Sequence, residues 1–98
     1  MIYKLEFHID VDNDLKSFSH TQKRLVFKQF NKIQKSPELG DILGNKNGYN
    51  LSGCRKMYAD NKQIRIVYKI IEDKIIIEVV AVGKRNDMEV YDKASKRI

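Results

Sequence analysis

Several residue types that would narrow the chemistry are scarce in this sequence of 98 residues. It holds one cysteine, Cys54, so no internal disulfide can form and a reducing compartment, the cytoplasm, is expected. A thiol buried like a small hydrophobe is the default reading for it. The two histidines, His8 and His20, fall in separate segments with no cysteine or third histidine at ligand spacing, which argues against zinc. Neither a Walker loop nor a dinucleotide-binding glycine loop is present, because Gly40, Gly44 and Gly48 have the wrong spacing and flanks. Asp10, Asp12 and Asp14 imitate the start of a calcium loop, but Leu15 and Thr21 stand where its glycine and final glutamate belong. They read better as helix caps, and no metal or cofactor is expected. No apolar run reaches the roughly 18–20 residues of a membrane span, so no membrane partner is expected. The first residues, Met1 to Glu6, alternate where a signal peptide is continuously apolar, so export is not expected either.

Positive charge is abundant. Lys and Arg number 19 against 13 Asp and Glu, a formal net charge of +6. The distribution is lopsided. The acids Glu6, Asp10, Asp12 and Asp14 crowd the start, whereas between Leu15 and Pro37 the charged residues are all basic. Such a field attracts polyanions, although a merely soluble basic surface has the same signature.

Hydrophobic periodicity predicts the elements. Tyr3, Leu5, Phe7 and Ile9 alternate with Lys4, Glu6 and His8 as in a half-buried strand over 2–9. Asp10 to Asp14 would cap a short helix ending near Phe18. Ser19 and Gln22 form a capping box for a second helix to about Lys35. At 100° per residue Val26, Phe30 and Ile33 share one side, flanked by Phe27. Arg24, Lys28, Lys32 and Lys35 share the other, as a basic ridge. Pro37 ends this helix, and a glycine- and asparagine-rich loop follows over 37–53. Strands are expected over 55–58, 64–71 and 75–82, the last two joined by a tight turn at Glu72 and Asp73. Asp87 is expected to cap a closing helix with Met88, Tyr91, Ala94 and Ile98 near one face. The order β-α-α-β-β-β-α describes a single α+β domain, a small antiparallel sheet against a helical hairpin with a short C-terminal helix.

Basic residues recur along that sheet: Arg55 and Lys56, then Arg65, then Lys84 and Arg85. Ile64, Ile66, Tyr68 and Ile70 share a face of their strand, which puts Arg65 on the other. Strands ~4.8 Å apart would bring Lys56, Arg65 and Arg85 around one phosphate, and guanidinium groups suit bidentate phosphate contacts. Charges decorating a solvated sheet face fit the same pattern.

Leu51-Ser52-Gly53-Cys54-Arg55-Lys56, Ile64-Arg65-Ile66-Val67-Tyr68 and Val82-Gly83-Lys84-Arg85 with Glu89-Val90-Tyr91 resemble the RelE family of bacterial toxins. The resemblance runs over essentially the whole chain, and it rests on the order and spacing of these segments together. It implies a ribosome-dependent endoribonuclease that enters the A site, cuts the mRNA there and is neutralised by a cognate antitoxin. It also implies that operator DNA is met only through the antitoxin complex. Carried over by position, Lys56 matches the first lysine of the family's Lys-x-Lys strand, Arg65 and Arg85 its phosphate-binding arginines, and Tyr91 its C-terminal tyrosine. One position departs: the second lysine, a leading candidate for the base, falls on Tyr58. Tyr58 itself, Lys56, or Lys62 from the adjacent turn would have to replace it. A toxin like the ParE branch, which blocks DNA gyrase without enzymatic chemistry, is the alternative, and a degenerate member that only binds its antitoxin is a third.

RNA cleaves when its 2′-oxygen attacks the adjacent phosphorus, leaving a 2′,3′-cyclic phosphate and a 5′-hydroxyl. Histidines with pKa near 6.5 suit both proton transfers, and no histidine pair is available here. Lysine and tyrosine, with pKa values of ~10.4 and ~10, are mostly protonated at neutral pH. Crowding by cations would lower a lysine and give it some base character. Arg65 and Arg85 would stabilise the phosphorane, and a partner that bends the mRNA would supply in-line geometry. Tyr91 would also be free to stack on a splayed base. The ridge from Arg24 to Lys35 would meet ribosomal RNA, with an antitoxin dock or a plain solvated face as alternatives. The scheme requires Arg65 and Arg85 to face the same space and Tyr91 to reach the surface.

Overall fold

The computed structural model describes residues 2–46, 48–85 and 88–98 of the chain. In chain order the elements are β1 (Lys4–Phe7), α1 (Val11–Leu15), α2 (His20–Lys35), β2 (Asp41–Ile42), β3 (Asn45–Lys46), β4 (Tyr49–Asn50), β5 (Cys54–Ala59), β6 (Ile64–Ile71), β7 (Ile76–Lys84) and α3 (Glu89–Arg97). Five strands form a central sheet in the order β1-β7-β6-β5-β2, and β3 pairs with β4 as a separate ribbon.

Alternation in β6 organises both faces. Ile64, Ile66 and Tyr68 point to one side, where Val11 and Leu15 of α1 and Val26, Phe30 and Ile33 of α2 cover them. Val67 points to the other, where Val80 and Ala81 of β7 meet Val90, Tyr91 and Ala94 of α3. Cys54 is buried in this second cluster, and burial raises its thiol pKa. Helix α2 opens with the expected capping box: Gln22 N–H donates to Ser19 Oγ and Ser19 N–H to Gln22 Oε1, both at 3.1 Å. Pro37 starts a short 3-10 turn over Pro37–Leu39. The buried Tyr68 hydroxyl donates to Pro37 O at 2.6 Å and accepts from Gly40 N–H at 2.9 Å. A Cβ at Gly40 would collide with that hydroxyl, so only glycine fits.

The α+β class stands, but the sheet is mixed rather than purely antiparallel. β1 runs parallel to β7, while β2, β5, β6 and β7 pair antiparallel. Alternation reveals which face of a strand is buried and says nothing of its neighbour or direction. The loop over 37–53 also holds β2, β3 and β4. The turn between β6 and β7 is a 3-10 turn over Glu72–Lys74 followed by Ile75 in the left-handed region, φ 57°, rather than a two-residue hairpin. The expected cap Asp87 lies outside the described residues.

The first strand is shorter than its alternation. Tyr3 and Leu5 pack on the core, but Phe7 is half exposed against the Phe30 ring, and Ile9 is 87% exposed. The last rung is His8 N–H to Val79 O, 2.8 Å. Asp10 then makes no side-chain cap, because its backbone lies in the helical region rather than the extended one that aims a cap at the next turn. Asp14 is not a solvated cap either. Its carboxylate is buried, accepts Val82 N–H at 3.1 Å and pairs with Arg97 at 2.7 Å. Arg97 also donates to Val80 O at 3.1 Å. Between them these two side chains seal the β7 edge that β1 leaves uncovered.

Candidate active site

Strand register decides which basic residues meet. In the β5–β6 ladder Lys56 is opposite Val67, and Tyr58 is opposite Arg65. Lys56, Tyr58 and Arg65 therefore share the face that carries α3. Lys56 Nζ donates to Tyr58 Oη at 3.0 Å. On the other side of Arg65, in β7, stands Gly83. A Cβ there would come within 3.0 Å of Val90 Cβ, so glycine lets the start of α3 settle directly beside Arg65.

Arg65 is wedged into this corner. Its guanidinium lies 4.6 Å from the centre of the Tyr91 ring, and Nη1 is 4.0 Å from Met88 Sδ. Its buried Nε has no hydrogen-bond partner among the described residues. Arg65 and Arg85 line one open groove of about 700 Å³, with Gln22, Gln63, Ile64 and Lys84. That volume falls in the range of sites for small ligands, and none of these lining residues is acidic. Arg85 is exposed, and its backbone N–H donates to Gln63 O at 2.8 Å, tying the end of β7 to the β5–β6 turn. Arg65, Lys84 and Arg85 thus share one groove, whereas Lys56, expected with the two arginines around the same phosphate, is not among its lining residues.

Electrostatics reverse one expectation. Lys56 does not become a better base: its hydrogen bond to Tyr58 raises its pKa, outweighing its partial desolvation. Tyr58 moves the other way. The same Lys56 hydrogen bond lowers its pKa against the opposing effect of desolvation, and Arg65 adds to the lowering. Lys62 is exposed on the β5–β6 turn, in the left-handed region at φ 68°, with no contact to the cluster among the described residues.

Two further expectations are corrected. Tyr91 is fully buried, 0% exposed, and its hydroxyl has no partner among the described residues. In this conformation it cannot stack on a base or reach a substrate, so the constellation that included it does not exist as drawn. It forms the floor on which Arg65 rests. Arg55 faces the α2 side of the sheet and is occupied, donating to Gly40 O at 2.9 Å and Glu38 O at 3.3 Å. One residue between Arg55 and Lys56 is enough to send them to opposite faces.

Arg24, Lys28, Lys32 and Lys35 are exposed on α2, the helix that packs on the opposite side of the sheet from α3. They pair with no carboxylate among the described residues. Gln29, on the same helix, was not anticipated: its Nε2 donates to the Tyr58 carbonyl at 2.6 Å, covering the β5 edge beyond the reach of β2. Its position between two ridge lysines hid it, because an amide carries neither charge nor hydrophobic period. Among the described residues no group of three or more His, Cys, Asp or Glu side chains is placed to hold a metal ion, and no helix is long and apolar enough to cross a membrane.

No family model matches the chain. Over 100 residues it is 31% identical to the mRNA interferase toxin RelE of Escherichia coli strain K12, covering 100% of this chain and 99% of that one. The structure of Escherichia coli toxin RelE in the free state, with two arginines mutated to alanine, matches with a TM-score of 0.80 at 28% identity, covering 100% of this chain and 99% of that one. The same mutant in complex with a peptide of the antitoxin RelBc matches with a TM-score of 0.72 at 27% identity and the same coverage.

Proposed function

This chain belongs to the RelE family of toxins, and we propose that it is the toxin of a toxin–antitoxin module that cuts mRNA in the ribosomal A site. The reaction is attack of a ribose 2′-hydroxyl on the adjacent phosphorus, which inhibits translation until a cognate antitoxin binds. The observation that carries this reading is the groove shared by Arg65 and Arg85 and lined by no acid, with the Lys56–Tyr58 pair next to Arg65 across the β5–β6 ladder. Two arginines lining one groove suit a phosphate that gains charge as it becomes a phosphorane.

Support also comes from the relatives, one called an mRNA interferase and one held by an antitoxin peptide. The chemistry of the site supports dependence on the ribosome. With no histidine pair and with Tyr91 buried, much of the rate must come from a partner that holds the RNA in line, an effect that can reach ~7–11 kcal/mol. The exposed α2 ridge gives that partner's RNA a cationic surface, and operator DNA is met only through the antitoxin complex.

Induction of the protein followed by primer extension tests the reading. New mRNA 5′ ends in phase with codons are expected. Intact mRNA with DNA damage would replace it by a gyrase-blocking toxin of the ParE kind.

A further inference from the structure

We infer that the phenolic oxygen of Tyr58, held by Lys56 and facing Arg65 across the β5–β6 ladder, is the proton acceptor for the attacking 2′-hydroxyl. This assignment rests on the nuclease reading and names its missing base.

Position comes first. Tyr58 is directly opposite Arg65, which lines the groove shared with Arg85. Its main chain is fixed on both edges, by the ladder to β6 on one side and by the Gln29 amide on its carbonyl at 2.6 Å on the other. Its ring lies on a half-buried surface rather than in the core.

The hydrogen-bond sense comes second. The Lys56 ammonium at 3.0 Å has no acceptor capacity, so it can only donate to Tyr58 Oη. A cationic donor on that oxygen favours phenolate over phenol. The charged and titratable groups around the Lys56–Tyr58 pair are Arg65 on β6, Asp41 on β2 opposite Lys56 and, behind them on α3, Tyr91. The two cations act in the same direction, and Tyr58 is correspondingly lowered.

Elimination comes third. Lys56 is held in its ammonium form by the same bond. Guanidinium groups have no acceptor capacity. Tyr91 is enclosed, and Lys62 is exposed on the turn with no contact to the pair among the described residues. In the step itself Tyr58 phenolate takes the 2′-hydroxyl proton as the O2′–P bond forms. The P–O5′ bond breaks with its electron pair on O5′, which is protonated by water in the open groove. The phenol then returns its proton to solvent.

Single-turnover cleavage of mRNA on programmed ribosomes, followed from mildly acid to alkaline pH, tests this. Wild-type protein should show a rate that climbs with unit slope and levels off at the pKa of Tyr58. Tyr58→Phe should be about 10²–10⁴-fold slower and lose the slope while unfolding at the same temperature. A fluorinated tyrosine at position 58, a more acidic phenol, should move the plateau to lower pH. A Tyr58→Phe variant that keeps the wild-type rate and slope, or a plateau indifferent to fluorination, overturns the assignment and leaves the nuclease intact. Wild-type protein that cuts nothing removes both.

Discussion

Arg65 rests on Tyr91, guanidinium carbon to ring centre 4.6 Å, and the phenol beneath it is sealed from solvent. A cation over a desolvated aromatic face gains ~2 kcal/mol or more. The contact also fixes where the guanidinium can point. Tyr91→Ala would remove a fully buried ring and should cost about 3–5 kcal/mol in urea unfolding. Tyr91→Phe removes only a hydroxyl without a partner, so stability should stay within about 1 kcal/mol and mRNA cutting should persist. Loss of cutting in the Phe variant would mean that the hydroxyl acts on substrate in another conformation.

Arg85 is exposed, and its anchor among the described residues is its backbone N–H on Gln63 O. Arg85→Ala should leave the unfolding midpoint nearly unchanged, within about 0.5 kcal/mol. Growth arrest on induction should disappear, with cutting down by about 10²-fold or more. Antitoxin capture should persist. Unchanged toxicity would remove Arg85 from the site.

The α2 ridge predicts salt-dependent binding. Lys28 and Lys32 are exposed next to the β5 edge. Replacing both by alanine should weaken ribosome binding and reduce the slope of log affinity against log salt by roughly 1.5–2. A slope equal to that of the wild type would make the ridge an ordinary solvated face.

Asp14 and Arg97 predict a stability effect far from the groove. The Asp14 side chain is 0% exposed and that of Arg97 11%, with 2.7 Å between them. Asp14→Ala would leave a mostly buried guanidinium with only the longer 4.0 Å pair to Asp10, and the Val82 N–H without its acceptor. A loss of about 3–5 kcal/mol is expected by urea unfolding. A loss below about 1 kcal/mol would show that water replaces the carboxylate.

Much of this was legible in the sequence, for identifiable reasons. Ser19 and Gln22 cap α2 because a hydroxyl and an amide three residues apart can satisfy each other's backbone N–H. Val26, Phe30 and Ile33 pack as the helical period requires. Arg65 faces away from Ile64 and Ile66 because a strand alternates, and Arg85 meets it because β7 is long enough to bring its end alongside.

What stayed hidden depends on partners distant in sequence. Asp14 read as a local cap, since its partner Arg97 lies at the far end of the chain. The parallel pairing of β1 with β7 left no trace in either strand's pattern. Tyr91 carried two signals. Its period with Met88 and Ala94 pointed inward while the family likeness pointed to the site, and in the fold the period prevails. The direction of the Lys56 and Tyr58 pKa shifts required a 3.0 Å contact that no sequence displays.

The nuclease account is tested most directly by purified protein, end-labelled mRNA and ribosomes carrying that message with an open A site. The account predicts cuts at the A-site codon that leave a 2′,3′-cyclic phosphate, no cuts in mRNA alone, and none with Arg85→Ala. Message that stays whole on the ribosome, or equal cutting with and without ribosomes, would contradict it.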